Sequence, residues 1–439
     1  MRRPRFLFLL ILFAPGIVRG QSTAATDQAE QIKALLARVE LLEKEVATLK
    51  SNQLEAMNAS PPSPVMEVGP PPSAAPPRPS PAAPSSSSMF QGHEHESQVA
   101  QEAMREIETH YPSLQFHGFG DVDFFTTDQK SPTSNSGFYL GQLDFHIASA
   151  LSKKISYFTE LTLNAHPENY TIEVERSIIR YDYDDYFKIS FGRYHIPISY
   201  WNTAYHHGAW LETTVDRPFQ VRVGGTFTPL HFVGALAEGN IPSGPLGLGY
   251  NIGIGNGRGT VISRPGDAGD INNNRAWVVK VYSRPTKLYG LETGGAFYRD
   301  KISLPAGPEY REWIANAYLV WTKGAPEFLT EFFNVNHRNI ATNAVANSDA
   351  MYAQFAYRLP WFERTLKPYY RFEYTHMPLS EQVFTYEPQV ESIVGIRYDI
   401  STFAAFKVEY RSSASHPAQG VHLAIPATNG VFFQTAFTF

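Results

Sequence analysis

Cysteine is absent from the 439 residues. That excludes disulfides, thiolate metal sites, thiol nucleophiles and a lipoprotein anchor, all of which need the sulfur. Beyond the first twenty residues there is no run of 18 or more apolar residues, which argues against a transmembrane helix. Charge is sparse, at 18% of residues with a net of −5, too weak a field to recruit nucleic acid. Aromatic residues are abundant instead, with 30 Phe and 24 Tyr. Such a supply suits strands with one apolar face and the aromatic girdles of a membrane barrel.

The patterning agrees. From Tyr139, alternate residues are apolar or small (Tyr139, Gly141, Leu143, Phe145, Ile147, Ser149, Leu151), while Gln142, Asp144 and His146 fall between them. After Ser152-Lys153 the alternation resumes through Ile155, Tyr157, Thr159, Leu161 and Leu163. A period of two means a strand with one wet and one greasy face, and a two-residue turn joins two such strands into a hairpin. The chain closes on Val431, Phe433, Thr435, Phe437 and Phe439 in the same phase.

Residues 1–20 read as a secretory signal: Arg2, Arg3 and Arg5, then an apolar Phe6–Phe13, then Val18-Arg19-Gly20. Residues 21–58 carry a heptad repeat, with Ile32, Val39 and Val46 at a and Leu35, Leu42 and Leu49 at d. Arg38 with Glu43 and Glu45 with Lys50 would pair between parallel chains, so this segment is expected to self-associate. β-branched a with Leu d leans towards a dimer, and Leu36 at e widens the stripe enough for a trimer. Residues 59–113 hold a Pro/Ala/Ser tract that cannot form a core, an extended spacer of on the order of 90 Å at ~3.1 Å per residue, followed by an expected short helix from Ser97 to Thr109. Between the two, His93-Glu94-His95-Glu96 lacks the i, i+4 spacing that places two ligands on one helical face, and it reads as solvated linker. No metal or cofactor is expected.

Residues 114–439 divide by alternation into sixteen strands: 114–127, 138–151, 154–165, 170–183, 186–196, 231–239, 246–256, 275–284, 287–299, 310–322, 327–337, 350–359, 366–377, 390–400, 402–412 and 430–439. Even-numbered connections are short and odd-numbered ones mostly long. This is the asymmetry of an outer-membrane barrel with both termini on the periplasmic side. The expected fold is therefore all-β, a transmembrane antiparallel barrel behind a periplasmic coiled coil.

Sixteen strands enclose a water-filled channel unless something narrows it. The longest connection, 197–230, contains Trp201, His206, His207, Trp210, Glu212, Asp216 and Arg217 and is expected to fold inward as a constriction. Strand phase sends Lys280, Arg358, Arg371, Glu373, Arg397, Asp399, Lys407, Glu409 and Arg411 inward, opposite Asp144, Glu160, Glu173 and Glu175. Opposed walls of charge set the field a permeating ion feels, although charge in a wet lumen is also simply solvated. The barrel holds 27 Lys and Arg against 30 Asp and Glu, so it is near neutral.

Phe191-Gly192-Arg193-Tyr194-His195-Ile196-Pro197-Ile198, with Asp216-Arg217-Pro218 beyond it, resembles the GxxxxP strand and loop of the phosphate-selective porin O/P family. The stretch from Leu248 to Gly257 resembles that family's YxxGxxNG strand end. The resemblance implies a sixteen-stranded, usually trimeric porin with its third outer loop folded inward, and related trimeric porins carry an N-terminal coiled coil. It does not extend to phosphate specificity, because those members use Lys- and Arg-rich funnels that this barrel lacks. Phe433, Phe437 and Phe439 match the assembly signal of such barrels. The expected function is passive diffusion of small hydrophilic solutes or ions, with a local basic stripe favouring anionic ones. The partners are outer-membrane lipid and further copies of the chain. Two rivals stand beside it: a plugged barrel tethered to the cell wall through the coiled coil, and a barrel hydrolase using His206 or His207 with Glu212 or Asp216 as a general-base pair.

Overall fold

The computed structural model describes residues 111–439 apart from 130–135, 167, 206, 223, 224, 226, 306, 323, 324, 385–388 and 416–426; of the first 110 it describes Lys44, exposed on an α-helix. The signal, the heptads, the proline tract, the His93–Glu96 cluster, the expected Ser97–Thr109 helix and His206 therefore lie outside the described residues.

Sixteen strands close into one antiparallel barrel in which every strand pairs with its sequence neighbours and β1 pairs with β16. They are β1 (Ser113–Thr127), β2 (Gly137–Ala150), β3 (Ile155–Ala165), β4 (Tyr170–Asp182), β5 (Lys188–His195), β6 (His231–Ile241), β7 (Leu248–Asn256) and β8 (Arg275–Ser283). The second half comprises β9 (Leu291–Ser303), β10 (Glu309–Thr322), β11 (Pro326–Asn339), β12 (Val345–Tyr357), β13 (Leu366–His376), β14 (Gln389–Ser401), β15 (Ala404–Ser415) and β16 (Thr428–Thr438). Closure leaves no edge, so the wall's backbone groups are paired, the condition for crossing hydrocarbon. At the seam Phe119 faces Thr438, and Gly118 and Phe439 exchange backbone bonds of 2.8 and 3.0 Å.

Burial inverts the usual globular order. Along β10, Glu312, Ile314, Asn316, Tyr318 and Val320 are buried, while Ala315, Ala317, Leu319 and Trp321 are exposed. The outward side of the wall is apolar, while the inward side carries the buried charged residues together with the apolar ones of β9–β12 that meet the inward loop. Two strands run beyond their expected limits: β9 continues to Ser303 and β12 begins at Val345, which shortens the connections to 304–308 and 340–344. The cause is the polar interior. Asp300 and Ile302 both keep inward positions, where Asp300 accepts from the Arg258 backbone N–H and Ile302 joins the apolar cluster, so the strand continues through a charged residue.

Two local features shape the first half of the barrel. The β3–β4 register shifts between Glu160 and Leu161, so Glu175 is an extra residue and both Glu175 and Arg176 are buried. β5 has only eight residues against fifteen in β1. It stops at Ile196-Pro197, where proline has no N–H for the ladder. The connection to β6 therefore leaves the wall far below the rim. Gly192 at φ +140° permits the close β4–β5 approach, because a Cβ there would sit 1.9 Å from the Ser177 carbonyl oxygen.

Candidate functional site: a lumen narrowed by its own loop

Residues 196–230 turn into the barrel and pack against β9–β13. Ile196, Ile198, Phe219, Val221, Phe227 and Leu230 are buried in one apolar cluster with Tyr298, Ile314, Phe333, Tyr352 and Phe384 of the wall and the loop after β13. Asn202 clasps the loop's mouth, its Nδ2 donating to the carbonyls of Ile196 (2.8 Å) and Leu230 (3.0 Å).

A short helix α1 (Tyr200–Ala204) carries Trp201 and ends on a wall carboxylate. Glu331 accepts hydrogen bonds from the backbone N–H of Tyr200 and Trp201 (both 3.0 Å), from Ser199 Oγ (3.1 Å) and from Tyr352 Oη (2.8 Å). A helix start leaves N–H groups without internal partners, and a carboxylate satisfies them. Trp201 stands edge-on to Tyr352, with the Arg371 guanidinium 5.8 Å from its ring.

The charges of the late strands hold this loop. Arg397 Nη1 donates to the carbonyls of Trp210 and Glu212 (both 2.7 Å), and Lys407 Nζ to those of Ala209 (2.6 Å) and Thr214 (2.7 Å). Arg371 Nη1 donates to the Thr214 hydroxyl and the Asp216 carbonyl, both at 2.7 Å. The Glu373 and Glu409 carboxylates accept from the backbone N–H of Phe219 (2.7 Å) and Val215 (2.6 Å). Arg411 bridges Asp216 and Glu409. Arg358 pairs with Asp399, which also takes Arg397. Lys280 is buried, its ammonium 4.9 Å from the Tyr318 ring. On the facing wall, Asp144 accepts from Thr162 (2.6 Å), and Glu160 takes His146 (2.7 Å) and Arg176 (2.6 Å). Glu173 pairs with Arg264 of the connection after β7.

Within the loop, Asp216 is held below the usual carboxylate range: burial opposes this, but Arg411 and Arg222 outweigh it. Glu212 goes the other way. Burial pushes it up to about 7 despite Arg217 and Lys407, with Asp216 adding repulsion. The folded chain therefore holds a proton on Glu212 between about 4.5 and 7 that the unfolded chain has released. Its contribution is present below that window and is lost as pH rises through it, on the order of 3 kcal/mol. Arg217, Lys407, Asp216 and Arg371 face this carboxyl. We expect trypsin cleavage at Arg222, taken relative to cleavage of a free peptide at the same pH, to rise between pH 5 and 8 in the parent chain and to stay flat in Glu212→Gln. Equal pH dependence in both would remove the assignment.

Space remains between the loop and strands β14–β16 and β1–β6. A cavity of about 570 Å³ is lined by Asp121, Asp123, Glu212, Asp216 and Glu391 with Arg217, Arg222 and Arg411. A second, of about 430 Å³, is lined by Glu173, Glu175, Arg193, His231 and Arg264. Of the loop residues singled out from sequence, Trp201 lies in the apolar anchor, while Glu212, Asp216 and Arg217 line open space. His207 lies against Asp144 and Glu175, and Asp216 is committed to Arg411. Sequence reasoning did not single out Glu331, His195, His231 or Arg176. Glu331 was accessible from strand parity; Arg176 was hidden by the β4 bulge.

Phe433, Phe437 and Phe439 lie at the closing seam, with Phe433 against Phe124 and Phe406, and Phe439 against Phe145 and Phe437.

A closed sixteen-strand wall with an inward-folded loop after β5 invites comparison with solved barrels. An anion-selective porin from Comamonas acidovorans superposes with a TM-score of 0.56 at 12% identity, covering 75% of this chain and all of that one. The outer membrane channel DcaP of Acinetobacter baumannii gives 0.52 at 12%, covering 75% and 97%. OmpT of Vibrio cholerae in its trimer form gives 0.51 at 12%, covering 75% and 99%. The fold is the porin barrel. No protein-family model matches the chain, and no curated protein matches it. The likeness therefore concerns barrel architecture, shared with porins generally rather than with the O/P family in particular.

Proposed function

We propose that this barrel is an outer-membrane diffusion channel for small hydrophilic solutes and ions, narrowed by residues 197–230. The observation that carries the reading is the inverted wall: exposed apolar side chains ring the outside, while ionised ones surround a lumen that the loop fills on one side and leaves open on the other. Such a wall is stable only with hydrocarbon outside. The signal and the closing aromatic segment fit export and assembly into that membrane. The heptads at Ile32, Leu35, Val39, Leu42, Val46 and Leu49 would gather copies in the periplasm, as a trimer like that described for OmpT.

Selectivity follows from which charges stay in water. The basic stripe of Arg371, Arg397 and Lys407 is tied to loop carbonyls, so it adds little to the open path. The larger cavity has five carboxyl side chains against three guanidinium groups, an excess that carries its full charge only once Glu212 has released its proton, above about pH 7. We expect discrete single-channel currents in planar bilayers and, at alkaline pH, a reversal potential of weak cation sign in a salt gradient that fades as pH falls. Complete absence of currents would sink the channel reading in favour of a plugged, tethered barrel, and a clear anion sign would sink the charge argument alone.

A further inference from the structure

Three histidines from three segments meet one glutamate inside the lumen. His195 ends β5, His231 opens β6 and lies opposite it in the ladder, and His207 comes from the loop. Glu175 is the extra residue of the β4 bulge and faces inward in the same phase as Glu173. One ligand atom from each lies within 4.8 Å of all the others, and all four residues are buried. Glu175 Oε2 is the hub, 2.7 Å from His231 Nε2 and 3.5 Å from His207 Nε2. The ring of His195 stands 5.0 Å from that of His231 and 5.9 Å from that of His207, between centroids.

We propose that Glu175, His195, His207 and His231 form a binding site for a divalent transition metal of the Zn(II), Ni(II) or Co(II) class, clamping the loop to the barrel wall. Three imidazoles and one carboxylate are the donor set such borderline ions prefer, whereas Ca(II) and Mg(II) want oxygen. Metal–ligand bonds of ~2.0–2.1 Å place tetrahedral donors ~3.3 Å apart. The site therefore needs side-chain movements of about an ångström and no movement of the wall.

The surroundings match. His207 Nδ1 faces Gln142 Oε1 at 3.3 Å and Asp144 Oδ1 at 3.4 Å, so an N–H there directs Nε2 at Glu175. This is the carboxylate–histidine–metal arrangement that orients a ligand. Glu160 lies 3.5 Å from His195 Nε2. Three carboxylates, at Asp144, Glu160 and Glu175, offset the three guanidinium groups that reach them, Arg176 on Glu160, Arg193 on Glu175 and Arg217 near Glu175 and Asp144, so the four ligands sit in no net positive field. Access exists from both ends. The 430 Å³ cavity reaches Glu175 and His231 from the end carrying the loop after β7. A smaller one of about 70 Å³ reaches His195 from the end carrying Ser113 and Ala150. The four ligands stand between these cavities, so an ion there would bar one side of the lumen.

The test uses the full chain, refolded in detergent and stripped with EDTA. Equilibrium dialysis with Co(II) is expected to give one tight ion per chain with the intense visible absorption of a tetrahedral site. Asp144→Asn should weaken binding by about 10- to 100-fold, and His207→Gln by at least as much, with the absorption lost. His207 belongs to the loop rather than the wall, and barrel closure in each variant is checked by the heat-dependent gel shift. A His93→Gln/His95→Gln variant should bind as the parent does. Binding that survives His207→Gln and His231→Gln but disappears in that linker variant would overturn the proposal, as would absence of stoichiometric binding. Dialysis does not depend on the channel reading. Metal uptake by a chain that passes no current would refute the channel and leave the site, whereas the block of current by Zn(II) rests on both.

Discussion

Glu331→Ala is expected to release the inward loop while leaving the barrel closed. The change strips the acceptor from the N–H groups of Tyr200 and Trp201, from the Ser199 and Tyr352 hydroxyls and from the Asn316 amide. Buried donors left without a partner cost roughly 1–3 kcal/mol each, so the five together amount to at least about 5 kcal/mol where water does not replace the carboxylate. The ladder does not pass through this side chain, because Glu331 pairs with Tyr318 and Tyr352 through its backbone. The apolar anchor around Phe227 and Phe333 still holds the loop's far half. The expected record is therefore a larger, flickering conductance rather than a steady open one, together with trypsin cleavage at Arg222. Glu331→Gln keeps one acceptor oxygen and should lie between the two. An alanine variant with the parent's conductance and protease resistance would show that the loop is held elsewhere.

Phe332→Arg should have the largest effect on assembly. Phe332 lies at the middle of β11, 48% exposed and pointing away from the lumen, flanked across the ladder by Ala317 and Met351. An arginine on the lipid face near the bilayer midplane costs about 2–4 kcal/mol. Folding into lipid vesicles, read by urea titration of the heat-modifiable form, should shift by that amount, while Phe332→Leu should shift little. Equal folding of the Arg and Leu variants would mean that this face does not meet hydrocarbon.

Much of the fold was legible because a strand's side-chain period is local. Tyr139 through Leu151 declares its two faces without reference to any distant residue, and sixteen such stretches with alternating short and long connections set the barrel. The inward direction of Lys280, Arg371, Arg397 and Lys407 follows from the same parity. Pro197, just past His195, marks where β5 must stop, and the length of 197–230 marks the loop that has room to fold inward.

Only the tertiary structure decided what those inward charges meet. Parity says that Arg397 and Lys407 leave the lipid; it cannot say that they end on the carbonyls of Trp210 and Ala209, because that depends on how the loop descends. The convergence of Glu175, His195, His207 and His231 was equally out of reach. It requires the β5–β6 register, which sets His195 opposite His231, and a loop residue brought back across the lumen to Glu175. Local chemistry thus determined which side of the wall each residue faces, whereas closure of the barrel around its own loop determined the neighbours. Contacts between residues far apart in the chain are selected by packing and register, which no short window of sequence contains.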